Sequence, residues 1–216
     1  HCANTGPMTG VLNLGGRVRV RYNPSPTRKL SWTWEQAEVI DESGASCWVG
    51  VNTSLPNKLV GLAIEAGYLK KELDSIAEIR REVPYGVNKR SRIDLLLEPS
   101  KDALDDRQIF VEVKNTTWKH NQVALFPDTV TKRGQKHLEE LIGILPKSRA
   151  LLIPCLSRSD VKYFAPGDSA DPEYGRLFRA ALNAGVEVLP CCFGFHLDKI
   201  TWEGKRPLLA DSMHNG

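Results

Sequence analysis

Two apolar stretches interrupted by charge constrain the fold of this 216-residue chain more than any other feature. Asp94 breaks the apolar run of residues 93–97, and Glu112 and Lys114 alternate with valines in residues 110–114. Because side chains alternate across a strand, Glu112 and Lys114 share one face. Burying such charges is costly unless they compensate one another. The pattern predicts two neighbouring strands whose three charged side chains converge.

A convergent Asp94, Glu112 and Lys114 would suit chemistry on a phosphate. Two carboxylates, together with water and a carbonyl, are the kind of ligands that Mg²⁺ prefers. The lysine could then orient or deprotonate a water molecule, or stabilise charge that develops on a phosphate. The alternative is a cross-strand ion pair at the end of a sheet, since a Glu-x-Lys tripeptide is common by chance.

The periodicity of residues 51–216 predicts an α/β (α+β) domain with a mixed sheet. Asn57 is expected to cap a helix that runs to about Leu69. The elements that follow in order are strands at 78–85, 91–97 and 108–114, a helix at 131–145, a buried strand at 150–156, a helix at 172–184 and a short strand at 186–189.

The first fifty residues read as a small β domain with a cationic face. Residues 1–34 carry five basic and no acidic side chains. Three of the five alternate with apolar residues along one predicted strand: Arg17, Arg19 and Arg21. A basic segment in a nearly neutral chain favours a polyanionic partner over a merely solvated face.

Two further short strands, at residues 30–35 and 47–51, make an oligonucleotide-binding (OB) barrel the natural candidate for residues 1–50. Such a barrel needs five strands and three are visible, so we expect it to be truncated and further residues to precede His1. The tryptophans Trp32 and Trp34 are expected in its core, with stacking on bases as the alternative.

The second helix presents basic and polar residues close to the predicted cluster. Lys132, Arg133 and Lys136 oppose the helix dipole at a cost of about 0.3–1 kcal/mol each, unless an anion docks at this end. Gln135 aligns with the apolar stripe of the same helix and is expected to face the sheet edge. The alternative is a capping glutamine beside a solvated basic turn.

Two other elements reach towards Asp94. Glu65 lies on the flank of the first helix, where such a residue is ordinarily solvated. A basic loop containing Lys89, Arg90 and Arg92 leads directly into Asp94 and would suit a phosphate backbone. A solvated loop is the plain alternative.

The remaining patterns exclude several classes of protein. No apolar run approaches the roughly 18 residues of a membrane helix. Five cysteines without a Cys-x-x-Cys pair predict a cytoplasmic protein. No nucleophile elbow or nucleotide-binding glycine motif is present. His120, His137 and His196 lack metal-ligand spacing, and most of them are expected on the surface. Asn4-Thr5-Gly6 and Asn52-Thr53 read as turns.

Several strings together resemble the sugar fermentation stimulation protein A family of prokaryotes. They are residues 1–6 (HCANTG), 52–57 (NTSLPN), 91–94 (SRID), 111–117 (VEVKNTT) and 126–138 (FPDTVTKRGQKHL). The resemblance covers nearly the whole chain in order. It implies an OB-type domain followed by a nuclease-like domain of the PD-(D/E)xK superfamily, with Ile93 in place of the proline of the superfamily name.

The resemblance also implies roles for the singled-out residues. Asp94, Glu112 and Lys114 would be the acidic-acidic-lysine core, Glu65 an additional acid, and Gln135 the polar residue of the next helix. A Mg²⁺ or Mn²⁺ ion would be held by Asp94, Glu112 and Glu65. DNA contacts are predicted from Arg17, Arg19, Arg21, Arg92, Lys132, Arg133 and Lys136.

The resulting prediction is a DNA-binding protein of low sequence specificity with a Mg²⁺-dependent phosphodiesterase site. DNA is the expected partner, no membrane is expected, and a homodimer is left open. One alternative is a non-catalytic DNA-binding regulator of sugar (maltose-type) utilisation genes that keeps the nuclease scaffold. Another is a metabolic enzyme that acts on a small phosphorylated sugar.

Overall fold

A computed structural model describes residues 1–41, 44–86 and 91–209. Seventeen elements occur within these residues. They are β1 Val18–Tyr22, β2 Trp32–Ile40, β3 Ser46–Gly50, α1 Pro56–Glu65, α2 Lys70–Leu73, β4 Ile76–Tyr85, β5 Ser91–Pro99, β6 Ile109–Thr116, β7 Trp118–His120, β8 Val123–Phe126, α3 Lys132–Gly143, β9 Arg149–Leu156, β10 Tyr163–Pro166, α4 Pro172–Ala184, β11 Glu187–Val188, β12 Cys191–Phe195 and β13 Ile200–Lys205.

The N-terminal strands β1, β2 and β3 form an antiparallel sheet in that order. Its small core contains Met8, Val11, Ala37, Val49 and Val51. The second strand begins two residues later than predicted and continues to Ile40. Trp32 is 53% exposed and packs on Tyr22, so its predicted place in the core is wrong. Trp34 does pack against this core.

The larger sheet has the strand order β13-β12-β9-β6-β5-β4, with β11 beside β9. Strands β6, β9 and β12 are parallel, whereas β4, β5 and β6 are antiparallel, as are β12 and β13. The sheet is therefore mixed, as predicted. A smaller sheet of order β10-β8-β7 lies beside it.

Helices cover both faces of the larger sheet. Helix α1 packs over Val111, Val113 and Ile153, while α3 and α4 cover the opposite face through residues such as Leu138 and Phe178. The period of two in β6 thus sends its valines towards α1 and Glu112 towards α3. None of the helices in the described part of the chain has the length and hydropathy needed to cross a bilayer.

The first helix of this domain differs from the prediction at both ends. It begins at Pro56 with no side-chain cap, so Asn57 is not its N-cap. Proline suits the first turn because its φ is fixed and it lacks an N–H. The helix ends at Glu65 and not at Leu69, because Gly67 adopts a left-handed φ of 79°.

The N-terminal sheet packs tightly against the larger sheet at Gly50. A Cβ placed there would lie 2.3 Å from the ring of Phe195 in β12. The Gly50 N–H also donates to the Ser157 carbonyl at 2.8 Å. Gln36 adds a hydrogen bond from its side chain to the carbonyl of His196 at 3.0 Å. These contacts fix the N-terminal sheet against the C-terminal end of β9 and β12.

Candidate active site

Asp94 lies where strands β5 and β6 separate. The β5–β6 pairing among the described residues covers Leu95 to Leu97, opposite Val111 to Ile109. One residue further along, the Asp94 carboxylate accepts a hydrogen bond from the Val113 N–H at 2.7 Å. Its other oxygen accepts from Asn57 Nδ2, also at 2.7 Å. The carboxylate therefore takes the place of a strand carbonyl and is held from two sides.

Glu112 and Lys114 form an ion pair on the α3 face of β6. Lys114 Nζ donates to Glu112 Oε1 at 2.6 Å, with side-chain exposures of 13% and 3%. Burial, followed by repulsion from Glu112, raises the pKa of Asp94 to about 6. Burial opposes ionisation of Glu112 too, but Lys114 and His137 outweigh it and lower its pKa. The structure thus pairs Glu112 with Lys114 and places Asp94 near enough for both to act on its ionisation, while the catalytic and metal-binding roles of the three residues stay predictions.

His137 completes this cluster and is the buried exception among three histidines of which most were expected on the surface. It is 5% exposed, and its Nδ1 lies 2.5 Å from Glu112 Oε1 and 3.2 Å from Lys114 Nζ. Arg133 Nε donates to Nε2 at 3.4 Å. An acceptor role for Nε2 implies that Nδ1 carries the proton that is donated to Glu112. No local sequence signal marks His137, because its partner Glu112 lies 25 positions away and is reached only through the packing of α3 on β6.

One oxygen of the cluster has no partner. Glu112 Oε2 is buried and accepts no hydrogen bond from the described residues. A buried carboxylate oxygen left unsatisfied is costly and marks a place where a donor or a cation fits.

Gln135 is buried on the same helix but points elsewhere. Its Nε2 donates to both carboxylate oxygens of Asp171, at 2.9 and 3.0 Å, and its Oε1 accepts from Lys132 Nζ at 3.2 Å. Asp171 caps α4 by accepting from the Tyr174 N–H, and it also accepts from the Thr131 N–H. Gln135 thus links the start of α3 to the start of α4 through Asp171.

The structure does not bring Glu65 into the cluster. Its side chain is 51% exposed, and Oε1 lies 3.5 Å from Arg81 Nη2. The same arginine donates to the carbonyl of Asn57 at 3.2 Å. Within the described ranges, no three His, Cys, Asp or Glu side chains form a group that could hold a metal. Asp94 and Glu112 are therefore the candidate ligands, and the metal-binding role of Glu65 stays a prediction.

The basic side chains at the start of α3 border the cluster. Lys132, Arg133 and Lys136 are exposed, and the first turn of α3 contains no acid. Lys136 Nζ donates to Ser91 Oγ at 3.0 Å. Arg92, two residues before Asp94, is exposed, and its Nη1 donates to the carbonyl of Glu82 at 3.2 Å. Lys89 and Arg90 lie outside the described residues.

The three arginines of β1 are mostly engaged within the N-terminal sheet. Arg17 forms an ion pair with Glu38, and Arg21 forms one with Glu35 at 2.9 Å. Arg19 donates to Gln36 Oε1 at 2.9 Å, and its guanidinium lies 3.6 Å from the centre of the Trp48 ring. Pairing with carboxylates on β2 reduces the positive potential that the sequence pattern alone would suggest.

Comparison with known proteins agrees with this architecture. A family model described as the SfsA N-terminal OB domain matches residues 1–51. Another, described as the sugar fermentation stimulation protein RE domain, matches residues 54–199. These matches confirm the predicted OB domain followed by a mixed-sheet domain. The predicted division into residues 1–50 and 51–216 stays a prediction.

Relatives extend the match over nearly the whole chain. A sugar fermentation stimulation protein homolog of Prochlorococcus marinus (strain MIT 9313) is 70% identical over 207 residues, which cover 96% of this chain and 82% of the relative. A homolog from Synechococcus sp. (strain WH7803) is 68% identical over 207 residues, covering 96% and 81%.

A solved structure has the same fold. It is that of Pyrococcus furiosus SfsA in complex with Ca²⁺, with a TM-score of 0.81 and 28% sequence identity. The match covers 96% of this chain and 84% of that one. The resemblance predicted from the motifs is confirmed, and the chain belongs to the sugar fermentation stimulation protein family.

Proposed function

We propose that this chain binds DNA with little sequence preference and hydrolyses its phosphodiester bonds at a divalent-metal site. The observation that carries the proposal is the buried cluster of Asp94, Glu112 and Lys114, in which one oxygen of Glu112 has no partner within residues 1–41, 44–86 and 91–209. Three charged side chains and a histidine are buried where strands β5 and β6 separate. Burying these groups costs free energy that a purely structural role would not explain.

The donor set fits a hard divalent cation. Asp94 and Glu112 are both anionic above the raised pKa of Asp94, and the free Glu112 oxygen offers an available ligand. Mg²⁺ and Mn²⁺ favour one or two carboxylates, with water and phosphate oxygens completing the shell. The Ca²⁺ in the related Pyrococcus furiosus structure supports the same class of ion. When bound, the cation would lower the pKa of a coordinated water molecule and stabilise the negative charge that develops on the phosphate.

The residues of this chain have separable roles in the proposal. Lys114 would hold the water or the phosphate through N–H donation, since its ammonium is partly accessible and fixed by Glu112. His137 is a positioning residue, because it acts through the Glu112 carboxylate. Gln135 acts further away still, through Asp171 and the start of α3. The DNA backbone would lie along Arg92, Lys132, Arg133 and Lys136.

A cleavage assay tests the proposal. Labelled single- and double-stranded DNA is incubated with Mg²⁺, Mn²⁺ or a chelator, using the wild type and the Asp94→Ala/Lys114→Ala variant. The matched control is Lys101→Ala/Asp102→Ala, which removes the same two charges from an exposed loop. We expect metal-dependent cutting by the wild type and the control, and none by the site variant.

Three other results would argue against cleavage at this site. Cutting retained in the site variant would place the activity elsewhere. Binding by all variants without cutting would favour the non-catalytic regulator of sugar-utilisation genes. Nucleotide-independent binding of a phosphorylated sugar would favour the metabolic enzyme.

Salt dependence tests the DNA contacts separately. Each neutralised phosphate contributes about 0.9 to the slope of log K against log salt on duplex DNA. Replacing Lys132, Arg133 and Lys136 by alanine should therefore reduce the slope by up to about 3. An unchanged slope would remove the start of α3 from the interface. The cytoplasmic location and the homodimer stay predictions.

A further inference from the structure

A cavity beside the active-site strand is not used by the proposed chemistry. Its volume is about 200 Å³, and it lies where the N-terminal domain meets the end of β6. The cavity is lined by the polar side chains Asn4, Thr53, Asn115, Thr117 and Asp128, by the aromatic rings of Trp118 and Phe126, and by Leu125. Asn115 follows Lys114 in β6, and because side chains alternate across a strand it points to the opposite face of the sheet, the face that α1 covers.

Hydrogen bonds hold the polar side chains of the cavity in place, and some of their donor and acceptor atoms are still available to a ligand. Asn115 Oδ1 accepts from Ser157 Oγ at 2.6 Å, and Asn4 Oδ1 accepts from the Gly6 N–H at 2.9 Å. Both amides therefore direct an NH₂ group that bonds to none of the described residues. The Thr117 hydroxyl is likewise without a partner there, although the residue is only 6% exposed.

An acceptor and an aromatic ring complete the lining. Asp128 Oδ2 accepts from the Thr9 N–H at 3.3 Å, and Oδ1 accepts no hydrogen bond from the described residues. Trp118 is wedged against Gly167, where a Cβ would come within 2.9 Å of its ring. The ring is thus fixed at the wall of the cavity.

This combination selects for a nucleoside and against a phosphate. A free carboxylate oxygen repels anions, and among the described residues that line the cavity none is basic. Amide donors, a hydroxyl, a carboxylate acceptor and a fixed ring match the edge and the face of a nucleobase. A cavity of this size can hold a single base but not a base pair. A base that enters it must therefore be unpaired.

We propose that this cavity binds the base of one unpaired nucleotide, so that the substrate is single-stranded DNA or a strand with an unpaired end. The inference rests on the proposed function for its substrate class. Asn4 and Thr53 belong to the N-terminal domain and the connection to α1, so the nucleotide would be gripped by both parts of the protein.

Binding to labelled oligo(dT) of about 12 nucleotides and to its blunt duplex with oligo(dA) tests the inference, with the full chain in a chelator. The variants are Asn4→Ala and Thr117→Val, and the control is Asn13→Ala, an exposed asparagine of the same N-terminal segment. We expect each variant to weaken single-strand binding by about fivefold, as for a lost hydrogen bond, and duplex binding by less than about twofold. The control should change neither.

Competition distinguishes a base from other neutral polar ligands. Thymidine monophosphate should displace oligo(dT) from the wild type, and glucose should not. Displacement by glucose alone would make the cavity a saccharide site and overturn the proposal. Equal loss of single-strand and duplex binding, or no loss in either variant, would also overturn it.

The outcome is separable from that of the cleavage assay. No metal is present and no bond is cut, so a chain without nuclease activity can still show the single-strand effect. Conversely, metal-dependent cutting without any difference between the two DNA forms would refute only the base-binding cavity.

Discussion

Asp171 is the residue whose replacement gives the most direct test of how the candidate site is held. Its buried carboxylate accepts hydrogen bonds from Gln135 Nε2, from the Thr131 N–H and from the Tyr174 N–H. These donors belong to the starts of two helices. In an Asp171→Ala variant, all of them lose their acceptor at once.

The magnitude follows from these contacts. Loss of the cap of α4 costs about 1 kcal/mol. The Gln135 amide, left buried without a partner, adds about 2 kcal/mol, and the half-buried Thr131 N–H about 1 kcal/mol. We therefore expect Asp171→Ala to lower the free energy of unfolding by about 4 kcal/mol. Asp171→Asn keeps one acceptor oxygen and should lose about half as much.

Urea denaturation at neutral pH measures both changes, with Asp198→Ala as an exposed control. Burial opposes ionisation of Asp171, but hydrogen bonds from Thr131, Tyr174 and Gln135 outweigh it and lower its pKa below 3.8. A lowered folded-state pKa stabilises the protein above the unfolded value, and this contribution is lost as the pH falls through the folded value. The gap between wild type and Asp171→Asn should therefore narrow below about pH 4. A loss under about 1 kcal/mol for Asp171→Ala would refute the reasoning.

Three further predictions concern other parts of the fold. Gly50→Ala should destabilise the protein by about 1–3 kcal/mol in urea, because the new methyl group overlaps the Phe195 ring; an unchanged midpoint would mean that the domains separate easily. Asp160→Asn should cost about 3 kcal/mol at pH 7, since it leaves the buried Arg158 unpaired. Burial opposes ionisation of Asp160, but Arg158 outweighs it and lowers the pKa of Asp160. The loss of stability caused by Asp160→Asn should therefore become smaller in acid, and a loss that does not change with pH would contradict this prediction. Burial raises the pKa of the Cys155 thiol to about 12, so a thiol reagent should modify it only after unfolding; labelling of the native protein would show local opening.

The strands of the candidate site could be predicted from sequence because their signal is local. Charged residues inside an apolar strand leave few alternatives, so the convergence of Asp94, Glu112 and Lys114 followed from a period of two and one assumption about strand neighbours. The mixed sheet followed from the order of helices and strands.

What was missed depends on contacts between distant segments. His137 has no neighbouring metal ligand in sequence, and only the packing of α3 on β6 brings it to Glu112. Gln135 was correctly expected to be buried, but its partner Asp171 lies 36 positions away. Asn57 looked like a helix cap, yet its amide is used by Asp94 across the fold. Propensity carries no information about such long-range partners.

The bond from the Val113 N–H to Asp94 has a consequence for reading this site in other chains. Since the carboxylate substitutes for a missing strand carbonyl, an acid at this position serves the backbone of the sheet whether or not any bond is cut. A relative without catalytic activity would still need the aspartate to accept this backbone hydrogen bond. Among the described residues, the Lys114 ammonium forms no hydrogen bond to the backbone. Under the proposed function, replacement of this lysine, more than of the aspartate, would therefore indicate a relative that no longer cleaves DNA.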